Sequence, residues 1–207
     1  MTKIAVFVSG RGSNFKALHD YLSTSGSGGE IVRVVSNKVC PALEYAREIG
    51  IPYSLVAEKS KEDFIDYESL LKEFKELNVR LIVLAGFLKK IPDMFIDGFD
   101  GNIINIHPAL LPAFGGKGMY GMNVHKAVFE SSAKYSGATV HFVDKVYDHG
   151  KIIDQAIVDI HDVSSPEEIA ARVLEQEHKL LPRVVSAILS DRVKIVNNRV
   201  VIVGESN

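Results

Sequence analysis

Short β-branched runs that alternate with helical patterns constrain this chain more than any other feature. Ile4 to Val8 is apolar throughout and stops at the turn-forming stretch Ser9 to Asn14. Such a run reads as a strand buried on both faces. Asn14 to Leu22 then carries Phe15, Leu18 and Leu22 on one helical face. After the Gly/Ser-rich loop 23–30 comes a second strand, 31–36, and a helix opened by Pro41 and closed by Gly50. A short strand (51–56) precedes an amphipathic helix over 60–78, with Phe64, Leu70, Leu71, Phe74 and Leu77 inside. A buried strand, 80–87, follows. Strand then helix, four times over, predicts a parallel sheet with helices on both faces, and residues 102–107 continue it.

The second half of the chain changes character. Residues 137–144 and 151–160 read as strands separated by a few residues, too few for a parallel crossover, so antiparallel pairing is expected. A long helix over 165–190 contains Pro182, where a bend is expected. The runs 192–196 and 199–203 flank Asn197-Asn198, a hairpin turn signal. The fold class expected is α/β: an open mixed sheet, parallel in the N-terminal half, with antiparallel strands in the C-terminal half and helices on both faces. A single domain over 1–207 is expected, because no linker or repeat interrupts the pattern.

Composition narrows the function classes. The 207 residues carry a net charge of -2, which argues against a strong nucleic-acid footprint. The one cysteine, Cys40, allows no internal disulfide and reads as a small core or loop residue. No apolar run approaches the roughly 18 residues of a membrane span, and the N-terminal run is too short for a signal peptide. A cytoplasmic location is the expectation, with no membrane partner and no nucleic acid.

In open α/β sheets, ligands gather at the carboxyl ends of the strands, and three stretches fall there. The first, Ser9 to Asn14, joins a strand to a helix. Its glycines allow a tight turn, and the helix N-terminus presents free N–H groups to a phosphate. An ordinary strand–helix turn fits equally well, and the missing third glycine argues against a dinucleotide. The second stretch is Ile104 to Phe114. Asn105 and His107 lie two apart on a strand, so both point to one face, and Pro108 ends the strand at His107. On periodicity alone, a loop-capping Asn and a satisfied core His explain this pair at least as well. The third contains Asp148, two residues before Gly150, which by itself is common turn chemistry. Brought within reach of His107, however, that carboxylate would orient the imidazole and favour its charged form, leaving Asn105 to donate to an oxyanion. Asn, His and Asp together suit acyl transfer to an amine. The scattered histidines and unpaired cysteine show no metal-ligand spacing, so no metal is expected.

The combination SGRGSN, LAGFLKKIP, NIHPALLPAFGGKGMYG, VHKAVFESSAKYSGATVHFVD and DHGKIIDQ, in that order, resembles the folate-dependent phosphoribosylglycinamide formyltransferases of purine synthesis along essentially the whole chain. The resemblance implies a Rossmann-like mixed sheet and formyl transfer from 10-formyltetrahydrofolate, a co-substrate, to glycinamide ribonucleotide, with no metal and small molecules as the partners. It implies catalytic roles for Asn105, His107 and Asp148. The substrate phosphate would lie on Gly12, Ser13 and Asn14, and the ribose would meet Glu177, for which a solvated helix charge is the alternative. Folate would lie near Phe87, Leu88, Lys89, Lys90 and Ile91 and along 141–148, including His141 and Asp144. Departures are visible. Lys151 stands where the family commonly has a proline after D-x-G, which bears on the mobility of the loop but leaves Asp148 in place. The stretch around Asn123 varies the rim. His125 and His141 are expected to be structural, His141 with a possible second role in supporting the catalytic loop.

Rival readings are a methionyl-tRNA formyltransferase and a non-catalytic phosphate- or nucleotide-binding module. The first shares the core motif but carries a further RNA-binding domain and a more basic loop than Ala113 to Gly121. The second would use the 9–14 turn alone. A catalytically silent relative would not be expected to retain Asn105, His107 and Asp148 together.

Overall fold

β1 (Thr2–Val8) and β2 (Gly29–Ser36) pair in parallel, with α1 (Ser13–Ser25) between them in the chain. In this computed structural model, which describes residues 1–59 and 61–204, the chain divides into two compact units, Met1–Ile104 and Asn105–Asn207. α2 (Pro41–Glu48), β3 (Tyr53–Ala57), β4 (Phe64–Asp66), α3 (Tyr67–Leu77), β5 (Val79–Leu84) and α4 (Asp93–Gly98) complete the first unit with the opening half of β6 (Asn102–His107). The second unit holds the rest of β6, α5 (Met122–Glu130), β7 (Tyr135–Phe142), β8 (Ile152–Asp159), α6 (Pro166–Leu189), β9 (Val193–Val196) and β10 (Arg199–Ile202).

The strand order is β4-β3-β2-β1-β5-β6 in the first unit and β6-β7-β8 in the second. β1 pairs in parallel with both β2 and β5, and β2–β3 and β3–β4 are also parallel, as expected from the strand–helix alternation. β7 and β8 pair antiparallel, as their short connection required. The mixed α/β sheet is therefore the one the sequence pattern calls for. β9 and β10 form a separate hairpin, with Asn197 and Asn198 at φ 50 and 65. Two consecutive positive φ angles match the right-handed twist of flanking strands, and Asn tolerates them.

The long helix expected over 60–78 begins later. Ser60 lies outside the described residues. Phe64 belongs to β4, paired opposite Leu55 of β3, not to a helix interior. The physical reason is the cap: the Asp66 carboxylate accepts a hydrogen bond from the Ser69 amide at 2.8 Å, which starts α3 at Tyr67. The core of the first unit is aromatic. Phe7 on β1 meets Phe74, Phe87 and Phe95 edge-on, with the Phe87 ring centroid at 5.3 Å. In the second unit α6 packs on β7, β8 and α5 through Ile169, Val173, Leu181 and Val184. Ser165 caps it by accepting from the Glu168 amide, with Pro166 at its first turn, and Pro182 lies inside it.

Candidate active site

β6 ends where Pro108 withholds an amide, so His107 is its last residue and Asn105 lies two positions back. His107 is 3% exposed. Its Nε2 lies 2.8 Å from the Phe114 carbonyl oxygen. A carbonyl only accepts, so Nε2 carries the proton and donates. Nδ1 is thereby turned to Asp148, whose Oδ1 stands 3.7 Å away. The other carboxylate oxygen, Oδ2, accepts from the Gly116 amide at 2.8 Å. The 111–116 loop thus holds both partners: one backbone oxygen for the imidazole, one backbone N–H for the carboxylate. Gly115 makes this approach possible. A Cβ there would lie 3.2 Å from the Asp148 Cβ and 2.5 Å from Leu111 Cδ2. Asp148 sits at φ 54, the left-handed region that Asp enters more readily than most side chains.

His141, on β7, completes the cluster. Its Nδ1 donates to the Phe142 carbonyl at 2.8 Å. Burial holds its pKa below the ordinary imidazole value, the Phe142 bond and the Asp148 charge opposing this only in part. The ring is therefore neutral, and Nε2 is left as an acceptor. The Asn105 Nδ2 donates to it at 3.1 Å. Nε2 also lies 3.8 Å from Asp148 Oδ1, so one carboxylate oxygen faces two imidazoles. The Asn105 amide is oriented with one N–H spent on His141 and a second N–H remaining as a donor. The sequence reading gives His141 a structural role, a place along the folate, or support of the catalytic loop. The alternation Val140-His141-Phe142 held the signal, since it puts His141 on the face opposite that of its two neighbours, but sequence cannot reveal which neighbouring strand that face meets.

The backbone just after His107 is clamped. Thr139 Oγ1 donates to the Ala109 carbonyl at 2.6 Å and accepts from the Leu111 amide at 3.1 Å. Gln155 Nε2 donates to the Leu111 carbonyl and to Thr139 Oγ1, each at 3.0 Å. These bonds, the two made by Thr139 fully buried, restrain residues 109–111. His125, on α5, is buried, and its pKa is pushed down to about 4, first by burial and then by the charge of His107. It is a neutral core group, as its helix-face position suggested. Asp144 does not join the cluster. Its Oδ2 meets His149 Nδ1 at 2.9 Å and its Oδ1 accepts from the Val146 amide at 2.8 Å. These bonds and the nearby imidazoles keep its pKa low, against desolvation that would raise it. Glu177 is 7% exposed on α6, so the solvated-charge alternative does not hold.

The first unit contains the other expected site residues. Gly12, at φ 75, caps α1 without any side-chain hydrogen bond, which leaves first-turn amides with no partner inside the helix. A Cβ on Gly12 would lie 2.6 Å from the Ala42 Cβ, so the turn both bends and packs in a way only glycine allows. Ser13 is half-buried and Asn14 buried. Ser9, buried at the end of β1, donates to Asn37 Oδ1 at 2.5 Å and accepts from the Leu88 amide at 2.9 Å. In the expected folate segment, Phe87 and Ile91 are core residues, while Leu88, Lys89 and Lys90 face solvent. Lys90 pairs with Asp93 at 2.8 Å. Among the described residues no three His, Cys, Asp or Glu side chains gather as a metal site, and no helix is long and apolar enough to cross a membrane.

Comparison with known proteins adds an independent line. Residues 2–185 match the formyl transferase family model. The chain is 48% identical over 195 residues to a chloroplastic phosphoribosylglycinamide formyltransferase of Arabidopsis thaliana, covering 93% of this chain and 67% of that protein. It is 34% identical over 200 residues to the phosphoribosylglycinamide formyltransferase of Haemophilus influenzae, covering 96% and 92%. The chain spans about two thirds of the length of the plant relatives it matches. The crystal structure of phosphoribosylglycinamide formyltransferase from Anaplasma phagocytophilum superposes with a TM-score of 0.88 at 35% identity, covering 99% of this chain and 95% of that one.

Proposed function

The chain belongs to the formyl transferase family, and from that premise we propose that it moves a formyl group from 10-formyltetrahydrofolate to the amine of glycinamide ribonucleotide, a step of purine synthesis. The observation that carries this reading is the cluster of Asn105, His107, His141 and Asp148 in the second unit, with its imidazoles and carboxylate within 3.8 Å. The amine attacks the formyl carbon and a tetrahedral oxyanion forms. The free N–H of Asn105 donates to that oxygen, and positive charge on His107 stands beside it. The Asp148 carboxylate, 3.7 Å from the ring, faces that charge and orients the imidazole. Collapse expels the folate N10, and the proton lost by the attacking amine travels to N10 through Asp148 and a water. No covalent intermediate on the enzyme is required, because the nucleophile is already an amine.

Substrate contacts follow the same reading. The uncapped first turn of α1, at Gly12, Ser13 and Asn14, would take the phosphate, since its backbone N–H groups have no side-chain acceptor. Glu177 would accept from the ribose hydroxyls. Leu88, Lys89 and Lys90, with Asp144, would line the folate path, while Phe87 and Ile91 support it from the core. The test is amine-dependent release of tetrahydrofolate, followed by absorbance, for the wild-type chain and Asp148→Asn. Turnover that requires glycinamide ribonucleotide and falls by at least about a hundredfold in the variant is the expected result. Release without the amine, or an Asp148→Asn protein as fast as wild type, would refute the assignment.

A further inference from the structure

Lys151 follows directly on the loop that carries Asp148, and its backbone closes that loop: the Phe142 amide donates to the Lys151 carbonyl at 2.9 Å. Its side chain goes elsewhere. Nζ donates to the Asn198 backbone carbonyl at 3.2 Å and to the Asn198 side-chain oxygen. Asn198 is the second residue of the β9–β10 turn, held at φ 65. One ammonium thus takes two oxygens of a single residue, 47 positions away. Both lie in the second unit, and the contact joins the tip of the terminal hairpin to the base of loop 143–150. β10 also packs on β8, so the hairpin is seated beside the strand that Lys151 precedes. It forms its own two-stranded sheet and leaves Ile195 and Val196 largely in solvent.

Inside the loop, Asp144 is bonded to His149 and to the Val146 amide, and Asp148 to the Gly116 amide. These bonds fix the loop's shape and its inner end. The C-terminal stem is held to β7 by the Phe142–Lys151 backbone bond and by the pairing of His141 with Ile152, where a proline would restrict φ further and a lysine does not. We propose that Lys151 is a positioning residue: through Asn198 it makes the terminal hairpin a strut that steadies the stem of the 143–150 loop and so keeps Asp148 facing His107. A charge-assisted contact to two oxygens replaces the covalent restraint of a ring. The kinetic consequence rests on the formyl-transfer reading of the site; the mechanical one does not.

The experiment compares the full-length wild type with Lys151→Met, Asn198→Gly and the double variant, by amide hydrogen exchange and by steady-state kinetics. Glycine preserves the positive φ at 198 and removes the side chain with its oxygen, leaving the backbone carbonyl as the one acceptor. Exchange across 143–150 should rise about threefold to tenfold in Lys151→Met, with the thermal midpoint unchanged. The double variant should exchange no faster than Lys151→Met, because both changes break one contact. kcat should fall with KM for the ribonucleotide unchanged, and Lys151→Arg should restore both readouts. Unchanged exchange in Lys151→Met, or additive effects in the double variant, would overturn the strut. A wild-type chain that lacks formyl transfer would refute the proposed function instead, and exchange would still decide the role of Lys151.

Discussion

Acid should weaken this fold well before any carboxylate is neutralised, and His125 supplies a calculable part. Its imidazole is held at about 4 in the folded chain against an ordinary 6.5. The unfolded chain therefore binds a proton between those values that the folded chain refuses. With a lowered imidazole, the contribution to stability is complete above pH 6.5 and is lost as pH falls toward 4. At pH 5 the loss is about 2 kcal/mol, and by pH 4 it approaches about 3 kcal/mol. For a chain of this length, about 2 kcal/mol corresponds to a fall of about 4–8 °C in the unfolding midpoint. His141 and His178 are lowered in the same direction by burial, so they add to the same slope. Bonded carboxylates such as Asp144 act in a separate window, since their stabilisation is lost only below the ordinary 3.8. The assay is urea unfolding of wild type and His125→Gln at pH 7 and pH 5. The variant keeps a neutral polar side chain but cannot titrate, so its loss of stability between the two pH values should be smaller than wild type's by about 2 kcal/mol. Equal losses in the two proteins would show that His125 is not held neutral by its surroundings.

Two further expectations follow from the site geometry. Asn105→Ala removes both the donor to His141 and the donor left for an oxyanion; turnover should drop roughly a hundredfold, or about 3 kcal/mol, with substrate binding by calorimetry retained. Gly12→Ala places a methyl group 2.6 Å from the Ala42 Cβ at a φ of 75, so it should lower the thermal midpoint and raise KM for the ribonucleotide more than KM for the folate, measured in the same transfer assay.

Much of this could be read from one-dimensional pattern because the pattern itself has a local physical cause. Two-residue alternation, helical stripes and prolines act within a few bonds, so β1, β6 and the Asn197-Asn198 turn fall where the residues demand. The miss at 60–78 was also local in origin but opposite in sign. Apolar spacing fitted a helix through Phe64, while pairing with β3 and the Asp66 cap made residues 64–66 a strand. Family resemblance singled out Asn105, His107 and Asp148. It said nothing of Phe114 or Gly116, and it placed His141 along the folate instead of as the acceptor for Asn105.

By itself the sequence determined most of the element types, β4 and α4 excepted, the parallel and antiparallel halves of the sheet, and which polar residues stand at strand ends. Those follow from side-chain spacing, connection length and turn chemistry, all short-range effects. Only tertiary structure decided that His107 donates through Nε2 to Phe114, that Asn105 donates to a neutral His141, and that Lys151 reaches Asn198. Such choices depend on hydrogen-bond partners distant along the chain and on burial, which sets a ring's charge, and neither quantity exists until the chain has packed.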